Sequence, residues 1–530
     1  MRLKLTKVPL ASVSSEMLVL PLPVTKDEAE QNGTFAKTLS PPSLRDFDTL
    51  DKYCRGDLRR QVRHFDYAPG KDKRITLSTA RRTGPGFIQS VHLCGMSADA
   101  SQNSDSSLEE WRKLGGSTYQ KAKGLRAKSV AISLASLPKR RERDALSAMI
   151  EGMELARYEY SKYKSKPEKA KKSTSKNIQV LFTGSKLTEK ELRAAEARAL
   201  AVARAVFFAR DLVNCPPSDL KPADLVRAAR SLSRQSRNGR LSCRVLTKAQ
   251  LRRMGAGAIL AVGQASTADP FLIHLSYIPR KRAKRPKRIV LIGKGITFDS
   301  GGLSIKPATG MEEMKCDMAG AAAVLGVGKA LTELPAEQAI AHEVHIIVPT
   351  AENMVSGNSV RPGDVVRALN GKTIEVLNTD AEGRLILADA LSYSARLKAD
   401  VIIDLATLTG ACVVALGNAY AGLFTKSEEL ALKLKSIGLS KGERLWPLPL
   451  ADEYRTQIES KIANLKNIGS GGPGATIGAL FLQEFVPNGA LWAHVDIAGP
   501  AFTKEVSDYK IAGASGFGVQ TLLGYLQSLP

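Results

Sequence analysis

Residues 378–385 constrain this chain more than any other stretch. The octet Asn-Thr-Asp-Ala-Glu-Gly-Arg-Leu places two carboxylates and a guanidinium within five positions. Alternating apolar residues over 372–377 predict a strand before the octet, and the apolar residues of 385–391 predict a helix after it. Loops that follow strands are where α/β proteins commonly carry their chemistry. Because two acids this close repel each other, the octet predicts a cation between them.

A simpler interpretation treats the octet as an ordinary helix start. Asp380 would then cap the helix, and Glu382 would complement its dipole. The octet alone leaves both interpretations open.

A second charged loop follows the apolar strand pattern of residues 289–292. This glycine-rich stretch, 293–307, contains Lys294, Asp299 and Lys306. It does not match a dinucleotide fingerprint, because Phe298 stands where a glycine is required, and it lacks the ending of a phosphate loop. What remains is a lysine- and aspartate-bearing loop of unassigned chemistry.

A further carboxylate, Asp317, stands where a small-residue helix pattern begins after this loop. Four carboxylates thus stand at predicted strand-to-helix junctions of one parallel sheet, and such junctions meet at a single edge. Acid-rich sites without His or Cys favour hard or borderline divalent ions, and several acids in one site favour a pair of ions. His342 and His345 are one residue too close for an HExxH motif and lie in a strand pattern, so we interpret them as structural. The four candidate metal ligands are Asp299, Asp317, Asp380 and Glu382.

Length and composition predict a two-domain α/β protein that stays inside the cell. A chain of 530 residues exceeds one typical core, and its 43% hydrophobic and 24% charged residues are typical of globular proteins. No signal-peptide pattern is evident, and the longest apolar run, 401–416, is too short to span a bilayer. Six scattered cysteines without a CxxC pair indicate a reducing compartment, so we expect a cytoplasmic location without membrane contact.

The net charge of +25 is unevenly distributed. Residues 1–288 carry 57 Lys+Arg against 27 Asp+Glu, a surplus of 30, whereas residues 289–530 carry 20 against 25, a deficit of 5. Two segments, 162–176 and 279–288, are especially basic. We interpret the first as a solvated loop and the second as an exposed hairpin tip, with a nucleic-acid patch as the open alternative for this basic half.

The predicted architecture is a smaller N-terminal α/β domain and a larger C-terminal α/β domain with a mixed, mainly parallel sheet covered by helices. The proposed limits are 1–188 for the first domain, 189–213 for a connecting helix and 214–530 for the second domain. The helix is expected to stop before Pro216 and Pro217, which cannot continue it.

The strings Gly-Lys-Gly-Ile-Thr-Phe-Asp-Ser-Gly-Gly (293–302) and Asn-Thr-Asp-Ala-Glu-Gly-Arg-Leu (378–385) closely resemble those of the leucyl aminopeptidases, a family of dinuclear-metal exopeptidases of the cytosol. Supporting stretches extend the resemblance over about residues 210–530. It implies metal-dependent release of N-terminal amino acids, preferably leucine or other apolar residues, by a water that two ions activate.

Carried over by position, the resemblance implies a role for each charged residue. Asp299 and Glu382 would bridge two ions, Lys294 and Asp317 would complete one site, and Asp380 would complete the other. Lys294 would have to be neutral to act as a ligand, which two dications beside it favour.

The remaining roles follow from the same resemblance. Lys306 would polarise the scissile carbonyl, and Arg384 would hold a bicarbonate ion that acts as base. The ions would be zinc or manganese, with cobalt or magnesium as alternatives, and the family assembles as a homohexamer. The positions that match substrate-binding residues are Met314, Thr407, Leu408 and Gly410.

Two other functions compete with this one. The first is a nucleic-acid-binding or regulatory role of the basic half, which predicts steeply salt-dependent binding. The second is two-metal phosphoester hydrolysis, which uses similar carboxylate clusters but fits the lysine ligand and the apolar pocket less well.

Overall fold

The chain folds into two compact units. The first comprises residues 1–203 with 506–510, and the second comprises 204–505 with 511–530. Each unit contains its own mainly parallel sheet, so the predicted two-domain α/β class is confirmed. The computed structural model describes residues 1–24, 35, 39–70, 72–79, 88–101, 104–165, 178–233 and 238–530.

The first unit has a six-stranded sheet among its described residues, in the order β1-β6-β5-β2-β4-β3, with β3 antiparallel to β4. Leucines of its central strand β2 pack with Phe47 and Leu93 in the core. The strands are β1 (Arg2–Leu5), β2 (Ser15–Pro23), β3 (Arg74–Ser78), β4 (Ile88–Met96), β5 (Ser129–Ser133) and β6 (Gln179–Thr183). The helices are α1 (Pro41–Tyr53), α2 (Asp57–His64), α3 (Asp105–Gly124), α4 (Glu142–Leu155) and the long α5 (Glu189–Asn214), which extends past residue 203.

The second unit carries the two charged loops. Its helices are α6 (Pro222–Ser233), α7 (Lys248–Met254), α8 (Gly257–Gly263), α9 (Ala319–Glu333), α10 (Glu382–Ser394), α11 (Gly410–Leu416), α12 (Glu428–Lys441), α13 (Gly474–Gln483) and α14 (Val519–Gln527). Its strands are β7 (Gly239–Leu246), β8 (Phe271–Pro279), β9 (Arg288–Gly293), β10 (Gly295–Asp299), β11 (Glu343–Asn353), β12 (Val365–Arg367), β13 (Thr373–Glu375), β14 (Val401–Ala406), β15 (Ala421–Phe424), β16 (Leu445–Pro447), β17 (Leu465–Lys466), β18 (Leu491–Asp496), β19 (Phe502–Thr503) and β20 (Gly513–Ala514).

The large sheet of this unit has the order β16-β15-β18-β14-β9-β11-β8-β7, and β10 pairs with β11. Strands β18, β14, β9 and β11 are parallel, so their carboxyl ends share one edge, which we call the carboxyl edge. The opposite edge is the amino edge. Every residue of β14 is buried, as its near-continuous apolar sequence predicts for a central parallel strand.

Two predicted arrangements are wrong. The basic residues 279–288 do not form a hairpin tip, because β11 lies between β8 and β9, and the connection crosses the start of β11 instead. The strand before the octet, β13, does not belong to the large sheet but pairs with β12 and β17. Its alternating burial suits a small, half-exposed ribbon rather than a central strand.

Three other predictions concern segments and cysteines. Most of segment 162–176 lies outside the described residues. No helix within the described ranges is long and apolar enough to cross a membrane. All six cysteines are free, as their spacing predicts.

A buried carboxylate joins α10 to its neighbours in the second unit. Asp389 is fully buried, and its two oxygens accept hydrogen bonds from the backbone N–H groups of Ile259 in α8 (2.8 Å) and Leu369 (2.7 Å). Burial raises the pKa of Asp389 to about 7. These bonds position the helix that carries Glu382.

We predict that Asp389→Ala lowers the free energy of unfolding by about 3 kcal/mol, because a buried N–H group and a half-buried one lose their acceptor. Asp389→Asn keeps an acceptor oxygen and should lose about half as much. Urea denaturation monitored by circular dichroism measures both values, and an alanine variant as stable as the parent would contradict this role.

Candidate active site

Lys294 is the centre of the charged cluster. It lies between β9 and β10, where its N–H donates to the Leu405 carbonyl of β14 (3.0 Å). The residue is 3% exposed, and Nζ lies 2.8 Å from Asp317 Oδ1, 2.9 Å from Glu382 Oε1 and 2.8 Å from the Thr407 carbonyl. One ammonium group therefore joins the glycine-rich loop, the start of α9, the octet and the end of β14.

Two glycines make this approach possible. A Cβ at Gly383 would lie only 2.5 Å from Lys294 Cε, and a Cβ at Gly320 would lie 2.1 Å from the Leu405 carbonyl oxygen. The first glycine lets Lys294 reach Glu382, and the second lets α9 approach the carboxyl ends of β9 and β14 closely.

Lys306 occupies the other side of the cluster. Its Nζ lies 2.8 Å from Asp299 Oδ2 and 2.5 Å from Asp380 Oδ1, and its side chain is partly exposed. Asp299 also accepts hydrogen bonds from the Gly301 N–H (2.9 Å) and from Asn353 Nδ2 (2.8 Å). The octet predicts one cation between its two acids. In the structure each acid instead has its own lysine from the glycine-rich loop: Glu382 faces Lys294, and Asp380 faces Lys306.

The interpretation of Asp380 as a helix cap is wrong. The N-cap position of α10 is Ala381, and no side chain caps this helix. Asp380 faces Lys306 instead, and Glu382 occupies the first turn of the helix.

The donor set fits divalent cations. Carboxylate oxygens of Asp299, Asp317 and Glu382 lie within 4.8 Å of one another, and Asp317 Oδ2 is buried without a hydrogen-bond partner. With Asp380, four carboxylates face only two ammonium groups, so the cluster lacks positive charge. Burial and the neighbouring carboxylates raise the pKa values of Glu382 and Asp317 above their ordinary values.

The pKa of the central lysine, Lys294, is also raised. Burial alone would lower the pKa of Lys294, but the carboxylates of Asp317, Glu382 and Asp299 raise it above its ordinary value. A ligating amine requires the opposite shift. Only a strong positive field, such as that of dications, supplies it among these carboxylates.

Arg384 lies beside the cluster on α10. It is 7% exposed, its Nη1 donates to the Asn467 carbonyl (2.8 Å), and its buried Nε has no hydrogen-bond partner. Burial lowers the pKa of Arg384 to about 10, so the guanidinium stays charged at neutral pH. A buried guanidinium with an unused donor is suited to an anion.

Two asparagines that the sequence reasoning missed hold the octet in place. Asn353 Nδ2 donates to Asp299 and to the Thr379 carbonyl (3.1 Å), so it ties the two charged loops together. Asn467 is fully buried; its Oδ1 accepts from the Leu377 N–H (2.9 Å), and its Nδ2 donates to the Asn378 carbonyl (2.7 Å). Asn467 is about ninety residues from the octet in sequence, and no local pattern signals this contact.

Of the four predicted substrate-binding positions, one is hydrogen-bonded to the charged cluster, and the other three are half-buried or exposed. Thr407 is bound to the cluster, because its Oγ1 donates to Asp317 Oδ1 (2.7 Å) and its carbonyl accepts from Lys294. Leu408 is half-buried and hydrogen-bonded through its N–H to Asp496 (3.1 Å), another residue that the sequence reasoning missed. Met314 is half-buried in a 3-10 turn, and Gly410 is exposed at the start of α11.

Comparison with known proteins identifies the family. A model of the catalytic domain of the cytosol aminopeptidase family matches residues 207–523, and a model of the family's N-terminal domain matches residues 37–167. The chain belongs to the cytosol aminopeptidase family. The resemblance drawn from the two motifs is thereby confirmed, and the chain is a metal-dependent aminopeptidase that acts on peptides.

Individual relatives agree with this assignment. A probable cytosol aminopeptidase of Gloeobacter violaceus is 41% identical over 486 residues, covering 90% of this chain and 92% of the relative. One from Aquifex aeolicus is 40% identical, covering 89% and 94%. Among solved structures, a mutant tomato leucine aminopeptidase superimposes with a TM-score of 0.84 at 32% identity, covering 100% of this chain and 97% of that one. The bottromycin maturation enzyme BotP in complex with Mn gives 0.77 at 30% identity, covering 97% and 99%.

We predict that Gly383→Ala lowers kcat/KM for a leucyl amide by about 100-fold, because the added methyl group displaces the Lys294 side chain from Glu382 and small displacements in active sites are costly. Gly357→Ala is the matched control, since a Cβ there contacts nothing within 4 Å. Equal activity of the two variants, measured alongside their thermal unfolding, would show that the close approach at residue 383 is unimportant.

We predict that Asn467→Ala reduces kcat by about 10- to 100-fold with little change in KM, because the octet loses the side-chain amide that binds its backbone at Leu377 and Asn378. The main-chain carbonyl that Arg384 binds remains in the variant. Asn464→Ala, which removes an exposed acceptor on the same segment, should have little effect. Steady-state kinetics on both variants separates an effect on the octet from general loosening of β17. A fall of the same size in Asn464→Ala would contradict the anchor role.

Proposed function

We propose that this enzyme removes N-terminal residues, preferably leucine or other apolar ones, from peptides with the help of two divalent ions. The observation that carries the proposal is the deficit of positive charge in a buried cluster with an unpartnered Asp317 oxygen. Asp299 and Glu382 would be shared by the two ions, Lys294 and Asp317 would hold one, and Asp380 would hold the other. Zinc or manganese suits this oxygen-rich donor set with one amine, with cobalt or magnesium as alternatives.

When bound, the ions would supply Lewis acidity, which lowers the pKa of water and polarises a carbonyl group. The chain's own residues would supply the rest of the chemistry. Lys306 uses two of its three ammonium protons on Asp299 and Asp380, which leaves one to donate to the substrate carbonyl oxygen and to stabilise the negative charge that develops there.

Arg384 would hold the base. Its Nη1 is occupied by the Asn467 carbonyl, and the remaining donors, including the unpartnered Nε, suit a planar anion such as bicarbonate. An anion fixed there would accept a proton from the attacking water. The guanidinium would keep that anion in place without itself losing a proton.

Substrate selection would depend on the acidic cluster and the apolar residues beside it. The free α-amine of a peptide, in its neutral form, would bind one of the ions, which explains why only residues with a free N-terminus would be removed. Met314 and Leu408 would contact the first side chain, with Thr407 and Gly410 beside the substrate backbone, which favours leucine. We also propose a cytoplasmic location, which the relatives named probable cytosol aminopeptidases support. A homohexamer is proposed from the family resemblance alone.

We predict that chelation abolishes turnover of leucyl amide and that manganese, zinc, cobalt or magnesium restores it to different degrees. A panel of aminoacyl amides, assayed after re-addition of each ion, ranks both the ions and the side-chain preference. Full activity of the exhaustively chelated enzyme would contradict metal dependence, and a preference for acidic or basic amides would contradict the apolar pocket.

We predict that Lys306→Ala and Glu382→Ala each reduce kcat by at least about 1000-fold, because each removes a group that acts on the developing charge or holds the ions. Lys306→Ala should retain metal binding, whereas Glu382→Ala should weaken it, and calorimetric titration with manganese distinguishes the two. Unchanged turnover in either variant would refute the assignment of that residue.

A further inference from the structure

The connection from β14 to α11 joins the charged cluster to the apolar part of the site. It consists of Thr407, Leu408 and Thr409, which we call the 407–409 loop. Thr407 is hydrogen-bonded to the cluster at one end. Thr409 is the N-cap residue of α11 at the other end, and its hydroxyl oxygen accepts a hydrogen bond from the Cys412 N–H (3.1 Å). Leu408 therefore lies between two fixed residues.

Asp496, the last residue of β18, holds the middle of this loop. It is fully buried, and its Oδ1 accepts hydrogen bonds from the Leu408 N–H (3.1 Å) and the Ala498 N–H (3.1 Å). Its Oδ2 accepts a hydrogen bond from Thr409 Oγ1 (2.7 Å). One carboxylate therefore ties two consecutive residues of the 407–409 loop to the end of the neighbouring strand.

The strand that carries Asp496 is fixed by side chains as well as by its backbone ladder. Asp404 of β14 and His494 of β18 are register partners, both are fully buried, and His494 Nδ1 lies 2.6 Å from Asp404 Oδ1. Trp492 Nε1 donates to the other oxygen of Asp404 (2.7 Å). The His494 ring stacks on Phe424 of β15, with the ring centroids 5.8 Å apart. Asp496 is therefore presented from a rigid strand.

Helix α13 confines the 407–409 loop from another direction. A Cβ at Gly478 would lie 3.2 Å from Leu408 Cδ2, 3.2 Å from Thr409 Cγ2 and 3.5 Å from Arg384 Nη2. The backbone of α13 thus packs directly against the Leu408 side chain. Leu408 is held through its N–H group by Asp496 and is in contact with α13 through its side chain, so it has little freedom to move.

The charge of Asp496 also acts on two buried cations. Burial would lower the pKa of His494, but the carboxylates of Asp404 and Asp496 raise it above its ordinary value. Burial lowers the pKa of Arg384 to about 10, although Glu382 and Asp496 oppose that shift. A carboxylate that accepts three hydrogen bonds beside two cations is stable in its ionised form. Hydrogen bonds to an ionised acceptor are about twice as strong as neutral ones, so the 407–409 loop is held firmly.

We propose that Asp496 is a positioning residue that sets the side-chain preference of the enzyme by fixing Leu408. This role rests on the proposed function, in which Leu408 contacts the first side chain of the substrate. A rigid pocket that fits leucine leaves a cavity when alanine binds, and that cavity costs free energy only if the wall cannot collapse into it. Asp496 prevents such a collapse, because it holds the Leu408 backbone in place without touching the substrate.

A purely structural role of Asp496 predicts a different outcome. A buried carboxylate that only stabilises the second unit would, when removed, lower the turnover of every substrate by the same factor. The ratio of kcat/KM for leucyl amide to that for alanyl amide would then stay constant. Loss of a positioned Leu408 lowers this ratio, because a loosened pocket accepts the smaller side chain more readily.

The proposal is tested by steady-state kinetics of the full-length enzyme on leucyl amide and alanyl amide. The parent should prefer leucyl amide by about 100-fold in kcat/KM, since a missing methylene in an apolar pocket costs about tenfold or more. Asp496→Ala should reduce this ratio by about tenfold, because the loosened loop closes around the smaller side chain. Asp496→Asn should keep most of the ratio, since its amide oxygen still accepts from the Leu408 N–H.

Thr409→Val is a second probe that applies even if Asp496→Ala does not fold. It removes the hydroxyl group that binds Asp496 Oδ2 and leaves the carboxylate in place. The leucyl-to-alanyl ratio should fall by about threefold, as expected for the loss of one hydrogen bond. Thr409→Ser keeps the hydroxyl group and should restore the ratio.

Asp389→Ala is the matched control, since Asp389 is also a fully buried carboxylate that accepts two backbone hydrogen bonds in the second unit. It should leave the leucyl-to-alanyl ratio unchanged. A fall of the same size in Asp389→Ala would overturn the proposal, because selectivity would then reflect general loosening. An unchanged ratio in both Asp496→Ala and Thr409→Val would overturn it as well, while the leucine preference of the parent would stand. A parent that hydrolyses both amides equally would instead refute that preference, and the role of Asp496 with it.

Discussion

The second unit is organised around one electrostatic constraint: four carboxylates in a largely buried cluster require positive charge between them. An isolated ionised carboxylate pays a large desolvation cost, and neighbouring carboxylates increase it. Lys294 and Lys306 supply part of the missing charge, each bridging an acid of the glycine-rich loop or α9 to an acid of the octet. The remaining deficit supports the proposal that the cluster binds dications rather than forming an ordinary ion-pair network.

This constraint explains why the surrounding backbone is packed so closely. Lys294 reaches Glu382 only because residue 383 has no side chain, and α9 approaches β14 only because residue 320 has none. Asn353 and Asn467 then fix the loops through hydrogen bonds to backbone groups, which leaves the acids free for ions. Rigid loops matter here because the acids repel one another. Without fixed loops, the carboxylates would move apart.

The sequence allowed the chemistry of the site to be predicted better than its construction. The octet and the glycine-rich loop are contiguous motifs with unusual charge, so Lys294, Asp299 and Glu382 could be grouped from the order of residues alone. The prediction that the strands before both motifs belong to one sheet is wrong, because β13 belongs to a separate small sheet. The role of Asn467 and the path of residues 280–288 could not be predicted, since both depend on which distant strands become neighbours, and no local pattern records that pairing.

The large sheet separates the acidic cluster from the basic residues 280–288. β9 begins at Arg288, the last of these basic residues, and ends at Gly293 beside Lys294, so about 17 Å of strand separates the two edges. This distance exceeds the Debye length of about 8 Å at physiological salt. Cations near the carboxyl edge would weaken the attraction of the four acids for divalent ions. Placing residues 280–288 at the amino edge keeps their field weak at the acidic cluster.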